Sequence, residues 1–288
     1  KGWKSKPAAF DVNLKEKYQE QKFSFEVIPP KNASEGTLKA TINIGGKNYA
    51  RGLVNIDYKH IPMQTIFPMA EAKIAKLQIK KKGSLIGYIM GAGDKVPESL
   101  RQIGYKVDLL KDADITASNL KKYDAVMVGI RAYNAKKRMK FHQNTLLEYV
   151  KNGGNMVVQY NTSRRVVTKK LGPYPLKLSR DRVTVEEAKM TFLNPDHPVL
   201  NTPNKITQND FNNWVQERGL YFPNKWDDKY EAIFSANDPG ETAKKGSLLV
   251  AKYGKGYYVY TGLSFFRELP AGVVGAYRLM ANILSLGK

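Results

Sequence analysis

Residues 84–288 predict an α/β domain with a doubly wound parallel sheet, and residues 1–83 predict a small immunoglobulin-like β-sandwich ahead of it. Three observations carry this expectation. After Gly83, short unbroken apolar runs alternate with helical spacing, as expected of strands covered on both faces by crossover helices. Before Gly83, apolar and polar residues alternate between turn signals with no helical spacing, as in a small antiparallel sandwich. The two textures meet at the basic run Lys80-Lys81-Lys82-Gly83.

Residues 1–20 read as a polar lead-in. Phe23, Phe25 and Val27 then point one way and Ser24 and Glu26 the other, until Pro29-Pro30 ends the run. Leu38, Ala40, Ile42 and Ile44 alternate again, and Gly45-Gly46 follows as a hairpin signal. Tyr49–Tyr58 and Ala72–Ile79 read as further strands.

In the second domain, Leu85–Met90 is a strand closed by Gly91-Ala92-Gly93-Asp94. Val96–Ile103 is a helix with Asp94 available as its cap. Val107–Leu110 is a second strand, and Asn119–Tyr123 leads into a third, Ala125–Ile130. Phe141–Val150 has helical spacing and stops at Asn152-Gly153-Gly154. Met156–Tyr160 is a fourth strand. Residues 163–247 are rich in Pro, Asn and Asp, too long for a plain connection, and read as an insertion or lid. Ser247–Tyr253 and Tyr257–Thr261 form a hairpin across Gly254-Lys255-Gly256, and Gly275–Leu286 is a closing helix.

The chain has 288 residues and no cysteine, which excludes a disulfide framework, a thiolate metal site and a cysteine nucleophile. Its formal charge is +21, from 47 basic and 26 acidic residues. That balance favours anionic partners, yet the lysines read as spread along the chain in pairs and triplets, without a nucleic-acid motif. Solubility is therefore preferred over a dedicated polymer site. No apolar run is long enough to span a membrane. The chain begins at Lys1 without a visible signal peptide, and it reads as a piece of something longer.

Five blocks carry a resemblance: "IGYIMGAGDKVPESLRQIGYKVDLL", "YDAVMVGIRAYN", "LLEYVKNGGNMVVQYNT", "FLNPDHPVLNTPNKIT" and "YGKGYYVYTGLSFFRELPAG". Over about residues 55–288 the chain resembles the C-terminal region of bacterial PIG-L/LmbE-type deacetylase proteins. That region resembles in turn the ThuA-like class I glutamine-amidotransferase-like domain. The resemblance implies a flavodoxin-like sheet and an exported or periplasmic setting. It also implies an N-terminal zinc-dependent N-acetylglucosaminyl deacetylase domain in the same protein, whose aspartate-rich histidine motif does not occur here. Glycan, or that deacetylase domain, becomes the expected partner. No cofactor and no metal are implied for this chain.

An amidotransferase needs a nucleophile on the sharp turn after the fourth strand. The turn here is Gln159-Tyr160-Asn161-Thr162, and neither Cys nor Ser stands on it; Thr162 and Ser163 beyond it are weak substitutes. No catalytic residue is therefore assigned. A ligand site, if built, lies at the carboxyl ends of the strands, lined by Gly93, Asp94, Arg131, Tyr133, Asn134, Tyr160 and Asn161, with His197 nearby. Arg131 is the expected anchor, because its planar fork can bond two oxygens.

Each of these residues also has a plainer reading. Gly91 and Gly93 serve a tight turn more readily than a phosphate loop, lacking the third glycine or the Gly-Lys-Ser/Thr. His197, in Asn194-Pro195-Asp196-His197-Pro198, reads as part of a turn capped by Asp196. His60 reads as structural and His142 as exposed. Three scattered histidines make a weak zinc case. Arg180-Asp181-Arg182 reads as an ion-paired structural cluster as often as an anion site. Trp214, Tyr221, Phe222 and Trp226 read as the core of the insertion before a sugar platform. The expected function is a non-catalytic accessory module. The alternatives are a hydrolase with an unconventional apical site built on His197, Asp94 or Thr162, and a binder of anionic polymer.

Overall fold

The computed structural model describes residues 2–32 and 34–288. The chain divides into two compact units, Lys1–Gln78 and Ile79–Lys288.

The first unit holds β1 (Lys4–Lys6), β2 (Glu26–Ile28), β3 (Ser34–Lys39), β4 (Ile42–Ile44), β5 (Lys47–Tyr49), β6 (Val54–Ile56), β7 (Gln64–Ile66) and β8 (Glu71–Lys76). They form four separate antiparallel pairs: β1 with β2, β3 with β8, β4 with β5, and β6 with β7. The β4–β5 hairpin turns at Gly45-Gly46, where the glycine pair predicts it. The expected sandwich is not what forms among the described residues. Six of the eight strands are only three residues long, and prolines 29, 30, 62 and 68 interrupt the runs between them. No described residue of this unit is fully buried, and Ile42, Ile44, Tyr49 and Leu53 remain exposed. β1 also turns part of the expected polar lead-in into a strand. Phe10 meets Phe23 and Phe25 at ring-centroid distances of 4.7 and 6.4 Å, so apolar contact here is local.

The second unit begins with β9 (Leu85–Ile89), α1 (Val96–Gln102), β10 (Lys106–Leu109), α2 (Ala117–Leu120), β11 (Ala125–Val128), α3 (Ala132–Ala135), α4 (Met139–Lys151) and β12 (Asn155–Gln159). Then come β13 (Leu176–Val183), β14 (Thr191–Phe192), α5 (Pro198–Asn201), β15 (Gly219–Trp226), β16 (Tyr230–Ala232) and β17 (Phe234–Ser235). It closes with β18 (Leu248–Tyr253), β19 (Gly256–Thr261), α6 (Phe265–Glu268) and α7 (Val274–Leu284).

The main sheet has seven strands in the order β10-β9-β11-β12-β19-β18-β16. The first five are parallel; at one edge β18 runs antiparallel to β19, and β16 in turn pairs antiparallel with β18. Counted along the chain, the parallel strands stand 2-1-3-4-5, the flavodoxin-like order. The sheet is thus mixed where a parallel one was expected, because the terminal hairpin and one insertion strand extend it. Successive residues point to opposite faces of a strand, and the inner strands β11 and β12 are buried on both. Val126, Val128, Met156 and Val158 join Leu146 and Val150 of α4 in one cluster. Val157 and Val259, on the opposite face, are equally buried.

The insertion is a packed part of the unit. β13 pairs with β15, β14 with β17, and β16 joins the main sheet beside β18. Its rings pack together: Phe211 lies 5.2 Å from Phe234, 5.5 Å from Trp214 and 6.0 Å from Phe192. Trp214 and Phe222 are core, as the composition predicts, and Trp226 packs partly buried against the α4 cluster.

The basic run belongs to this second unit. Asn204 accepts from the Lys80 N–H at 2.9 Å and donates to the Lys80 carbonyl at 2.8 Å. The Lys82 N–H donates to Ser285 Oγ at 3.0 Å.

Candidate functional site

A doubly wound sheet leaves its crevice at the carboxyl ends of the strands, where the connections diverge. Here β9 leads away to β10 on one side while β11 lies on the other. The segments at that end are Gly91–Asp94 after β9, Gly129–Arg131 after β11, Tyr160–Asn161 after β12 and Gly262–Ser264 after β19.

The first two segments touch. A Cβ on Gly91 would lie 2.0 Å from the Ile130 carbonyl oxygen, and the Ala92 N–H donates to that same oxygen at 2.8 Å. Gly91 is therefore fixed by close backbone approach, which accounts for a glycine there without any phosphate. Asp94 folds back from this loop. Its carboxylate accepts the Val96 N–H at 3.0 Å, capping α1 from the residue before the formal cap. The Tyr88 hydroxyl lies 2.7 and 2.8 Å from its two oxygens, and Gln159 Nε2 donates to that hydroxyl at 2.8 Å. Burial holds the Asp94 carboxyl above the usual carboxylate range, with Glu98 adding to the shift. Burial and then the Asp94 charge push the Tyr88 phenol well up. Gln159 Oε1 has no hydrogen-bond partner although the residue is buried.

Arg131 stands at the turn from β11 into α3 with φ of 54°, the left-handed region. Its N–H donates to the Tyr160 carbonyl at 2.8 Å, and its own carbonyl accepts from Asn134 and Ala135 at 3.0 and 2.9 Å. The backbone is pinned while the side chain is exposed.

Tyr133, Asn134 and Asn161 are committed to the fold. Tyr133 is fully buried and its hydroxyl donates to Gln143. Asn161 is fully buried too; its Oδ1 accepts the Tyr133 N–H at 3.0 Å and its Nδ2 donates to the Gln159 carbonyl at 2.9 Å. Asn134 Nδ2 donates to the carbonyls of Thr162 and Arg164 at 3.2 and 2.9 Å, and its Oδ1 accepts the Thr162 N–H at 2.9 Å. Thr162 Oγ1 donates to the Arg164 carbonyl at 3.1 Å. These side chains build the turn and present no free polar group to a cleft.

Sequence reasoning missed the aromatic shelf at the same end of the sheet. The Tyr160 ring stacks on Tyr221 at 6.0 Å and 8° and tilts against Phe266 at 5.2 Å. Burial raises the Tyr160 phenol, while the charges of Arg131 and Arg267 oppose the shift. Arg267 Nε donates to Glu217 Oε1 at 2.9 Å, which also accepts from Ser264 Oγ at 3.0 Å. Beneath lies Glu268, fully buried, with Oε2 accepting the Val215 N–H at 2.9 Å and Oε1 unpartnered. Burial pushes its carboxyl up to about 8, against the pull of Arg218. Arg218 is itself buried beside Phe211 and Trp214 and is brought down to about 10 by desolvation.

His197 does not join the apical residues. It caps α5, Nδ1 accepting the Val199 N–H at 3.0 Å, so His197 and not Asp196 is the capping side chain. Its Nε2 faces Glu231 of β16 at 4.0 Å. β16 stands four strands from β11 in the sheet, about 19 Å at the usual strand spacing. Burial lowers the imidazole pKa. His142 is not exposed as expected but half-buried, with Nε2 at 3.4 Å from Asp112. His60 stacks on Tyr58 at 5.8 Å. Arg182 pairs with Glu241 at 3.0 Å and Asp238 at 3.7 Å, outside its own Arg-Asp-Arg run. Among the described residues no group of three or more His, Cys, Asp or Glu could hold a metal ion, and no helix is long and apolar enough to cross a membrane.

No family model matches the chain, and no curated protein matches it. It is similar to solved structures at low identity. Two are cytoplasmic proteins of Salmonella typhimurium. One is 12% identical with a TM-score of 0.47, over 87% of this chain and 94% of that one. The other is 13% identical with a TM-score of 0.44, over 87% and 95%. A third, a ThuA-like protein of Bacteroides uniformis, is 15% identical with a TM-score of 0.43, over 69% and 89%.

Proposed function

We propose that this chain is a non-catalytic accessory module of a larger PIG-L/LmbE-type N-acetylglucosaminyl deacetylase, holding a glycan or a partner domain at the carboxyl end of its sheet. The observation that carries the reading is the state of the turn after β12. In a class I glutamine-amidotransferase-like domain that turn presents the nucleophile. Here Asn161 spends both ends of its amide on the main chain, and Tyr160 is wedged between Tyr221 and Phe266. His197, expected beside this turn, instead caps α5 and faces Glu231 of β16. What the strand ends offer instead is a half-buried aromatic shelf flanked by Arg131 and Arg267. Such a surface suits the apolar face of a sugar ring with a cation at its edge.

The competing reading is a hydrolase with an unconventional apical site. The Asp94 carboxyl favours it, because burial raises its pKa and it lies against the Tyr88 hydroxyl, as in a carboxyl tuned toward acid–base work. One assay separates the two. The purified chain is expected to release neither ammonia from glutamine nor acetate from N-acetylglucosamine derivatives above a buffer blank. Turnover that vanishes in Asp94→Asn would establish the hydrolase. In parallel, chito-oligosaccharide titrated against the tyrosine fluorescence of the chain should bind, and Arg131→Ala should weaken that binding. Unchanged affinity in the variant removes the shelf from the proposal.

A further inference from the structure

The charge of the chain is concentrated. Between Asp124 and Asp181 stand twelve Lys or Arg and a single acid, Glu148, a net of +11 out of the total +21. The fold brings a subset of these residues together along α3 and α4. Residues 162–175 run as a strap along α3 and α4. Asn134 ties the strap at Thr162 and Arg164, the Val167 N–H donates to the Tyr133 carbonyl at 2.9 Å, and Gln143 Nε2 donates to the Leu171 carbonyl at 2.9 Å. Lys137 from the α3–α4 turn, Lys140 from α4, and Arg164, Arg165, Lys169 and Lys170 from the strap are all exposed. Among the described residues none of these six has an ion-pair partner, whereas Arg138 pairs with Asp112 at 2.7 Å and Lys151 with Glu148 at 3.9 Å.

Like charges held together without acids cost self-repulsion, and they raise the local concentration of anions. The face is also shaped. Between α4 and the strap lies an open cleft of about 400 Å³, with Lys169 and Lys170 at its rim, Asn144 and Glu148 on the helix side, and Tyr174 and Tyr253 as walls. Glu148 is engaged by Lys151 at 3.9 Å. The two tyrosine rings meet edge to face at 5.7 Å.

We infer that this flank of α4 binds acidic oligosaccharides, with the tyrosine-walled cleft seating a sugar ring and the strap cations meeting its carboxylates or sulfates. The site is separate from the strand-end shelf and stands whether or not that shelf binds a glycan. Three observations favour a saccharide over a nucleic acid. The cleft falls within the roughly 300–1,000 Å³ of small-ligand sites. Its tyrosines are half-buried and held by their neighbours, Tyr174 bonding the Lys252 carbonyl at 3.1 Å. And Phe141 is the one exposed aromatic ring among these cations, where single-stranded nucleic acid uses a succession of stacking rings.

The test is calorimetric titration of the whole chain with three probes: hexagalacturonate, hexathymidylate and maltohexaose. The expected order is hexagalacturonate first, hexathymidylate about tenfold weaker or more, and no heat from neutral maltohexaose. Lys169→Ala with Lys170→Ala should weaken hexagalacturonate roughly three- to tenfold, and adding Arg164→Ala with Arg165→Ala should weaken it again. These side chains are exposed, so melting temperatures should stay put. Tyr253→Ala should lower affinity for hexagalacturonate and leave hexathymidylate unchanged. Equal affinity for the two anionic probes means unspecific attraction and overturns the assignment. So does full affinity in the fourfold variant. Loss of hexagalacturonate binding in Arg131→Ala, with the lysine pair silent, moves the ligand to the strand ends and overturns it as well.

Discussion

The Tyr88 hydroxyl sits 2.7 and 2.8 Å from the two carboxylate oxygens of Asp94, bridging the end of β9 to the loop that starts α1. Tyr88→Phe leaves the Gln159 amide and the Asp94 carboxylate short of a partner in a buried setting. The expected cost is about 1–3 kcal/mol, read as a lower urea midpoint. Asp94→Asn keeps an oxygen for the Val96 N–H and should cost less than Asp94→Ala, which loses the cap as well.

Arg131 occupies a left-handed backbone position with an exposed side chain, so its stability effect and its binding effect should separate. A non-glycine residue in that region carries about 1–2 kcal/mol of strain. Arg131→Ala should leave the melting temperature nearly unchanged. Arg131→Gly should raise it slightly, the relief exceeding the entropy gained by the unfolded chain. Asn161→Ala, in contrast, strands the buried Tyr133 N–H and should cost about 1–3 kcal/mol. Thermal melts of the three variants rank them.

Gly129 is where the side chains of Tyr88 and Asp94 come together over β11. A Cβ there would stand 2.9 Å from the Gly91 nitrogen, 3.0 Å from the Tyr88 hydroxyl and 3.1 Å from Asp94 Oδ2. Backbone on one side prevents simple side-chain relief. Gly129→Ala should destabilise by about 1–3 kcal/mol and displace the amide resonances of residues 91–94 in a nitrogen–proton correlation spectrum. Unmoved resonances would contradict this geometry.

Glu268 makes the fold sensitive to alkali. Its folded carboxyl is raised from 4.5 to about 8 by burial, with Glu186 and Glu217 adding and Arg218 opposing. A group raised on folding stabilises fully below its unfolded pKa. That contribution drains away as pH climbs from 4.5 and is gone above about 8. Unfolding free energy should therefore fall with pH across this window, and Glu268→Gln should flatten the fall. Identical pH profiles for the two proteins would remove Glu268 as the cause.

Strands β9, β11 and β12 were legible because burial on both faces writes them as apolar runs. The insertion was not, because its strands find partners far along the chain: Tyr230 of β16 faces Ala251 of β18, and Leu176 of β13 faces Trp226 of β15. Short-range alternation cannot encode such pairings. At the site, topology brought Arg131, Asp94 and Tyr160 to one end of the sheet. It could not say that Asn161 and Tyr133 face inward, since side-chain direction at a turn depends on backbone angles. Tyr88 and Gln159 left a usable signal, a polar group at the end of an otherwise apolar strand. The shelf partners Tyr221 and Phe266 left none. The basic face is written in the sequence too, as twelve Lys or Arg against one acid between Asp124 and Asp181.

β16 has a consequence for how these molecules behave in a crowd. It lies along β18, whose residues Leu248, Leu249, Val250 and Ala251 are all buried. A bare β18 would offer a row of free amides and carbonyls lined with apolar side chains, a template on which another chain could grow. β16 closes that row with three residues, and its middle residue is the charged Glu231. The opposite border is β10, four residues long, bearing Lys106 and Asp108. Both borders of the sheet are short and charged, so trimming the insertion should first produce aggregates during refolding.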